Sequence, residues 1–357
     1  MQTQSKFRLL VVRLGAMGDI LHALPAVTAL RQAHPAWQID WVVEPAWKAL
    51  LSARNGAEGV DRGPDQPLVN HVIPACTKAW GRKPLSGDTL EGIRRLRRTL
   101  RRGRYDAVID FQGAVRSAAL GWASGARRRI GEAAPREWPA RWLFTDRIAT
   151  HGAHVIEQDV ELASALAGDA LQPVQPWLPV DSAAERWRRE LLAGEPDRLV
   201  ALLNPGAGWG AKRWPVDRYA HVAVELARRG FRVLVNAGPG EEPLAEAIET
   251  QSGVSATAVR CSLAELIALT RRAALVIGGD TGPVHLACAL GRPVVGIYGP
   301  TDPARNGPYG TRFRVLRSPF SVRDHARNHE PESGLLTITP EDVVRAVDEV
   351  LTQETLP

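Results

Sequence analysis

The chain has 357 residues, 45% of them hydrophobic and 24% charged, with a formal net charge of +6. This is the composition of a soluble globular protein with material for two cores, and its basic balance suits an anionic partner: a nucleotide, a phosphorylated glycan, a nucleic acid or a membrane surface. Three cysteines, Cys76, Cys261 and Cys288, form no C-x-x-C pair, which argues against a disulfide framework or a zinc site and for a reducing compartment.

The N-terminal apolar run from Phe7 to Leu14 is broken by Arg8 and Arg13, so it does not read as a signal peptide, and no apolar stretch has the length of a membrane span. A cytoplasmic protein is expected. Strands and helices alternate along the chain, predicting α/β units with parallel sheets and helices on both faces. Phe7 to Val12 reads as a strand, Gly15 to Asp19 as a loop, Ile20 to Gln32 as a helix, and Gln38 to Val43 as the next strand. Asp19 therefore sits where a strand hands over to a helix. The plain reading is a helix cap. The functional reading rests on Gly15-Ala16-Met17-Gly18, a loop suited to close approach of a ligand. A carboxylate there, at a sheet's carboxyl edge, can accept a proton from a substrate hydroxyl.

The Pro/Gly-rich span from Arg62 to Gly92 predicts a short strand near Val69 to Ile73 and a mobile loop. Ile93, Leu96 and Leu100 keep helical spacing, so Arg94 to Arg104 predicts an amphipathic helix with a basic outer face. Such a face is ordinarily just solvated; membrane-surface contact is the second reading. Nucleic acid is not expected as a partner, because no recognised motif accompanies the charge. Tyr105 to Asp110 is a strand ending in the polar loop Phe111-Gln112-Gly113.

Leu171 to Pro179 contains three prolines and no periodicity, predicting a linker between a domain at 1–172 and one at 173–338. The alternation then restarts with a helix from Ala183 to Leu192, a strand from Leu199 to Leu203, a helix from Val216 to Arg229 and a strand from Phe231 to Asn236. The loop from Asn204 to Pro215 is glycine-rich and ends in Lys212 and Arg213. Its backbone N–H groups, around Gly206, can cradle a diphosphate, and Lys212 can neutralise a leaving phosphate. It is not a Walker A loop, and the alternative is a flexible loop with solvated cations. Glu241 and Glu242 follow the Gly238-Pro239-Gly240 turn; either one holds ribose hydroxyls, or both are exposed first-turn helix carboxylates.

Ala273 to Ile277 reads as a buried strand, and Leu286 to Leu290 as a helix stopped by Gly291 and Pro293. Asp280, Thr281 and Gly282 lie between them, where unpaired N–H groups and a positive helix end welcome a phosphate. His285 follows Thr281 by four residues on the same helical face, placed either to touch that ligand or to pack. The strand Pro293 to Tyr298 runs into Gly299-Pro300-Thr301-Asp302-Pro303, so two adjacent strands end in polar loops at one sheet edge, the place where open α/β sheets bind ligands. A final helix from Glu341 to Leu351 shows Val343, Val344, Val347 and Leu351 at helical spacing. With no D-x-D, H-E-x-x-H, His/Cys cluster or G-x-S-x-G elbow in the chain, neither a metal nor another cofactor is expected.

Several of these segments resemble glycosyltransferase family 9, the ADP-heptose:lipopolysaccharide heptosyltransferases. Arg13 to Leu21 with Leu24-Pro25-Ala26 resembles the family's opening. Gly279 to Gly282 with His285-Leu286, and Tyr298 to Pro303, resemble its donor-site signature. Lys212-Arg213-Trp214-Pro215 resembles its Lys-x-Trp-Pro, and Asp110 to Gly113 with Arg116-Ser117 its mid-domain loop. Asp40 to Glu44 and Arg136-Glu137 bring the chain nearest to the heptosyltransferase I branch. The likeness runs from about Phe7 to Gly310 in order; Gly206 to Gly210 lacks the paired threonines of some members, and the tail including Arg323-Asp324-His325 matches no part of the family's pattern.

The resemblance implies a GT-B fold, two Rossmann-like domains with parallel sheets facing a central cleft: an acceptor domain, a nucleotide-sugar domain, and a terminal helix at 339–357 packing back on the first. It implies metal-independent, inverting transfer from ADP-heptose to a Kdo-containing lipid A acceptor, with peripheral contact at the cytoplasmic face of the inner membrane. By position, Asp19 becomes the general base and Lys212 the cation on the ADP phosphates. Gly206, Glu241, Glu242, Asp280, Thr281, Gly282 and His285 become donor contacts, and Gly15, Arg116 and Arg136 acceptor contacts. The alternatives are a nucleotide-sugar epimerase of GT-B-like fold, or a non-enzymatic protein binding membrane surfaces through its basic helix.

Overall fold

A computed structural model describes residues 6–54, 62–324 and 330–352. The chain forms two compact units, Met1–Val180 and Asp181–Pro357. The division falls at Val180 rather than at 172 for a local reason. The proline segment is tied to the first unit: the Trp177 N–H donates to Thr28 Oγ1 at 3.4 Å, and the Val180 N–H to the Pro64 carbonyl at 2.8 Å.

The first unit runs β1 (Arg8–Val12), α1 (Met17–Ala33), β2 (Gln38–Val43), β3 (His71–Pro74), α2 (Thr77–Arg82), α3 (Gly87–Arg102), β4 (Ala107–Asp110), α4 (Val115–Ser124), β5 (Arg128–Glu132), β6 (Asp146–Ile148) and α5 (Val155–Ala167). Its six strands are parallel, in the order β3-β2-β1-β4-β5-β6. Helices cover such a sheet on both faces, so its central strands are mostly apolar. Leu9, Leu10, Val11 and Val12 of β1 are fully buried, as are Ile39, Trp41, Val42 and Val43 of β2.

Two polar groups are built into this core. Arg31, on α1, donates to the carbonyls of Leu68, Trp37 and Pro35 and to Asn70 Oδ1, pinning the segment before β3. Burial, aided by the nearby Arg62 charge, lowers its pKa to about 10. Asp40, on β2, accepts from the Tyr105 hydroxyl at 2.8 Å and lies 2.9 Å from His71 Nδ1, tying β2 to the start of β4 and to β3.

The second unit runs α6 (Ser182–Leu191), β7 (Val200–Asn204), α7 (Val216–Arg228), β8 (Arg232–Asn236), α8 (Glu242–Ser252), β9 (Ala256–Val259), α9 (Leu263–Arg272), β10 (Ala273–Gly279), α10 (Gly282–Ala289), β11 (Val294–Tyr298), α11 (Pro303–Asn306), β12 (Phe313–Arg317) and α12 (Pro340–Thr352). Its six strands are also parallel, ordered β12-β11-β10-β7-β8-β9. Counted from the first strand of each unit, both sheets have the same doubly wound order. The chain's direction of travel across the sheet reverses between β1 and β4, and again between β7 and β10. The terminal helix α12 packs against α7, β11 and β12, burying Val343, Val347 and Val350 in the core of the second unit.

Asp40→Ala removes the acceptor of a Tyr105 hydroxyl that is buried in the core, and the expected cost is about 2–4 kcal/mol. For a unit of this size that lowers the unfolding temperature by roughly 5–15 °C in a thermal melt. Asp40→Asn keeps one acceptor oxygen and falls by less; equal melts for Asp40→Ala and the parent would contradict this role.

Candidate active site

The first polar edge lies at the β1–β4 reversal. Asp19 is the third residue of α1, with Ala16 rather than Asp19 at the N-cap position. Its Oδ2 accepts from the Ala16 N–H at 2.9 Å, and its Oδ1 pairs with Arg13 Nη2 at 3.1 Å. The carboxylate is therefore oriented by two donors while its side chain stays 39% exposed. Arg13 is buried, and its other terminal nitrogen donates to the Phe111 carbonyl beyond β4. The loops after β1 and β4 are joined a second time where the Leu14 N–H donates to Gln112 Oε1 at 2.8 Å. Gly15 is required by its neighbour, because a Cβ there would lie 2.7 Å from Trp47 Nε1.

Asp110 closes β4 wholly inside the unit. Its Oδ1 accepts from the N–H groups of Gln112 and Gly113 at 2.7 and 3.0 Å. Burial pushes its pKa up to about 6, against the opposing pull of those amides and of the Arg13 charge. Arg116 and Arg136 are both exposed, Arg116 in the first turn of α4 and Arg136 in the loop after β5. Their two loops touch: the Glu137 N–H donates to the Gly113 carbonyl at 2.8 Å, and Glu137 Oε2 accepts from the Val115 N–H at 2.8 Å. Parallel pairing of β1, β4 and β5 thus puts Asp19, Arg116 and Arg136 on loops of one sheet edge.

The second polar edge lies at the β7–β10 reversal. Lys212 ends a 3-10 turn, Gly210–Lys212, in the loop after β7. Its ammonium pairs with Asp280, just beyond β10, and sits 4.1 Å from the centre of the Trp209 ring. Asp280 also meets His285 Nε2, on α10, at 3.1 Å. Burial alone would raise the Asp280 pKa, but the hydrogen bonds and charges of His285 and Lys212 outweigh it and hold the carboxyl well below the usual range. Thr281 is the N-cap residue of α10 and Gly282 its first residue.

Glu241 occupies the N-cap position of α8, and its carboxylate is already engaged. It accepts from the Ala207 N–H at 3.0 Å and the Gly238 N–H at 3.2 Å, clasping together the glycine loops after β7 and β8. A Cβ at Gly206 would lie 1.9 Å from Glu241 Oε2, so only glycine admits this clasp. Glu242 is the first residue of α8 and is half-buried. Beneath the clasp, Asn236 Nδ2 donates to Asn204 Oδ1 at 2.9 Å and Cys261 Sγ lies 3.2 Å from Asn236 Oδ1.

The structure thus gathers Gly206, Lys212, Glu241, Asp280, Thr281, Gly282 and His285 on the carboxyl edge of the second sheet, and Gly15, Asp19, Arg116 and Arg136 on that of the first. Sequence reasoning missed the partners: Arg13 for Asp19, Trp209 for Lys212, and the Asn204–Asn236–Cys261 chain. For Asn204 and Asn236 the local signal is a polar residue at the carboxyl end of an otherwise apolar strand; Trp209 and Cys261 carry none. Of the segment Arg323-Asp324-His325, Arg323 pairs with Asp302 at 3.3 Å, while His325 lies outside the described residues. Among the described residues no helix is long and apolar enough to cross a membrane, and no group of three or more His, Cys, Asp or Glu could hold a metal ion.

The chain thus holds two doubly wound units, the fold class of GT-B glycosyltransferases, one presenting a half-exposed carboxylate and the other a cation beside a glycine-rich turn. The family model described as glycosyltransferase family 9 (heptosyltransferase) matches residues 93–335. Lipopolysaccharide heptosyltransferase 1 of Escherichia coli strain K12 is 31% identical over 323 residues, covering 87% of this chain and 94% of the relative. The Pseudomonas aeruginosa protein of the same name is 30% identical over 325 residues, covering 88% of this chain and 84% of the relative. The solved structure of E. coli heptosyltransferase WaaC with ADP-2-deoxy-2-fluoro heptose superimposes with a TM-score of 0.77 at 27% identity, covering 96% of this chain and 99% of that one. The chain belongs to glycosyltransferase family 9.

Asp110 offers a test of the first edge. Its folded pKa of about 6 lies above the ordinary carboxylate value near 3.9, so the fold favours the protonated form. The resulting stability is present below about pH 4 and is lost as the pH rises through about 6. Asp110→Asn keeps the acceptor oxygen and does not titrate. In melts from pH 4 to 8, the stability of the parent relative to Asp110→Asn should fall by about 2 kcal/mol between pH 4 and 6 and level off above about pH 7. A difference that does not change with pH would contradict the burial of an ionisable group.

Proposed function

We propose that this glycosyltransferase moves heptose from ADP-heptose to a Kdo-containing lipid A acceptor, with inversion and without a metal ion, working as a peripheral protein at the cytoplasmic face of the inner membrane. The observation that carries the reading is the Arg13–Asp19 pair at the first sheet's reversal: a carboxylate aimed by two donors yet open to an incoming hydroxyl. In support, the relatives named above are lipopolysaccharide heptosyltransferases, and one was solved with an ADP-heptose analogue.

In this mechanism Asp19 takes the proton of the acceptor hydroxyl as its oxygen attacks the anomeric carbon. The bond from that carbon to ADP breaks, and its electron pair leaves on the diphosphate. Lys212 and the amino end of α10 stabilise the growing negative charge. Asp280 and Trp209 hold the Lys212 ammonium at the edge before the donor arrives, and His285 steadies Asp280. Glu241 keeps the glycine loops closed on each other, shaping one wall of the donor site. Arg116 and Arg136 meet the anionic acceptor on the loops beside Asp19. An epimerase would release nucleotide from the sugar donor without acceptor; under this proposal the chain, given ADP-heptose alone, should leave it largely intact.

Asp19→Asn should bind ADP-heptose as the parent does, by thermal shift, while acceptor-dependent ADP release drops by about 10²- to 10⁴-fold. Parent-like turnover in this variant would remove Asp19 from the chemistry. Lys212→Ala should lose about 10²-fold or more in turnover, from lost stabilisation of the leaving group. If its turnover and donor affinity both match the parent, the ammonium has no part in the reaction.

A further inference from the structure

The first unit carries a surface that the transfer chemistry leaves unused. Trp122, Trp138 and Trp142 are 55%, 55% and 63% exposed, an unusual state for so large an apolar side chain. Trp138 and Trp142 belong to a 3-10 turn, Trp138–Leu143, between β5 and β6. Their rings meet edge-to-face at 4.9 Å, and the Arg141 guanidinium lies 5.4 Å from the centre of the Trp138 ring.

The turn is fixed from beneath. Ala140 and Phe144 pack with Ala118 of α4 in a small buried cluster that Leu143 borders, and Glu137 holds the Val115 N–H at the start of the same helix. On α4, the exposed residues Val115, Ala119 and Trp122 are spaced i, i+4, i+7 and so form one stripe beside Ala118. The turn that carries the two tryptophans therefore packs on the same helix that carries this stripe.

Cations flank this layer. Arg127, three residues beyond the end of α4, is exposed. The neighbouring helix α3 is latched to α4 where Arg101 Nε donates to the Ala123 carbonyl at 2.9 Å, and it exposes Arg94, Arg95 and Arg97 on its outer side. Nearby acids are already engaged: Glu137 with the Val115 amide and Glu91 with Arg98 at 2.7 Å. Exposed indoles bordered by arginines match the chemistry of a bilayer interface, where Trp lies at headgroup depth and Arg meets lipid phosphate.

We propose that Trp138 and Trp142, with the Trp122 stripe of α4 and the arginine face of α3, form the surface by which this chain rests on an anionic lipid bilayer, the indoles entering the headgroup layer. The inference deepens the membrane-side reading given above by naming the face. Its experiment uses neither donor nor acceptor, so it succeeds or fails separately from sugar transfer.

The test is cosedimentation of the full chain with vesicles of phosphatidylcholine alone or mixed with phosphatidylglycerol. The parent should bind the anionic vesicles, and more weakly as salt is raised. W138A/W142A should lose about tenfold in vesicle affinity, with an unchanged unfolding temperature because both side chains are exposed. Replacing Arg94, Arg95 and Arg97 with Gln should remove much of the salt-sensitive part of the binding. Brominated lipid should quench a share of indole emission in the parent that is missing in W138A/W142A. Failure of the parent to bind anionic vesicles, or parent-like binding and quenching in W138A/W142A, would overturn the proposal.

Discussion

The polar chemistry of this protein depends on one topological constraint, the reversal of strand order inside each parallel sheet. Helices bury both faces of such sheets, so the central strands are mostly apolar and most of the site's charged groups sit beyond the strand ends. Where successive crossover helices depart to opposite faces, two adjacent loops part at the carboxyl edge and leave room for polar side chains. Arg13, Asp19, Asp110 and Gln112 gather at the β1–β4 reversal. Asn204, Lys212 and Asp280 gather at the β7–β10 reversal.

At both edges charge is met by opposite charge or by backbone dipoles before any substrate is present. Arg13 faces Asp19, Lys212 faces Asp280, and Glu241 draws in the Ala207 and Gly238 amides. A lone buried charge is costly, and each pairing offsets that cost while fixing a direction. Asp110 shows the other outcome. With its charge enclosed and only partly compensated, the carboxyl has its pKa pushed up to about 6.

Much of the fold was legible because parallel strands announce themselves as apolar runs. β1, β2, β4, β7, β8, β10 and β11 were each expected within a few residues of where they lie, and so were α7 and α12. The strands that escaped notice carry the opposite signal. β5 reads Arg-Arg-Ile-Gly-Glu and β12 reads Phe-Arg-Val-Leu-Arg, so neither forms an apolar run. In β5 the guanidinium of Arg128 reaches the carbonyls of Ala165 and Leu166, an arrangement no local pattern announces. The same limit applied at the site. Spacing placed Asp19, Lys212 and Asp280 at strand ends. Their partners did not follow, because Arg13 and Phe111 are 98 residues apart and Ala207 and Glu241 are 34 apart, joined only through sheet register. The proline segment misled for a related reason: it looks like a tether but is held to Thr28 and Pro64.

The Lys212–Asp280 pair has a consequence for turnover. The second sheet edge carries its own internal counter-ion, so a diphosphate arriving there does not meet a bare cation. In the proposed mechanism it competes with Asp280 for the same ammonium group, and that group returns to Asp280 when the nucleotide departs. Such an exchange caps how firmly spent ADP is retained, and it restores the resting arrangement, in which His285 and Lys212 hold the Asp280 carboxyl well below the usual range.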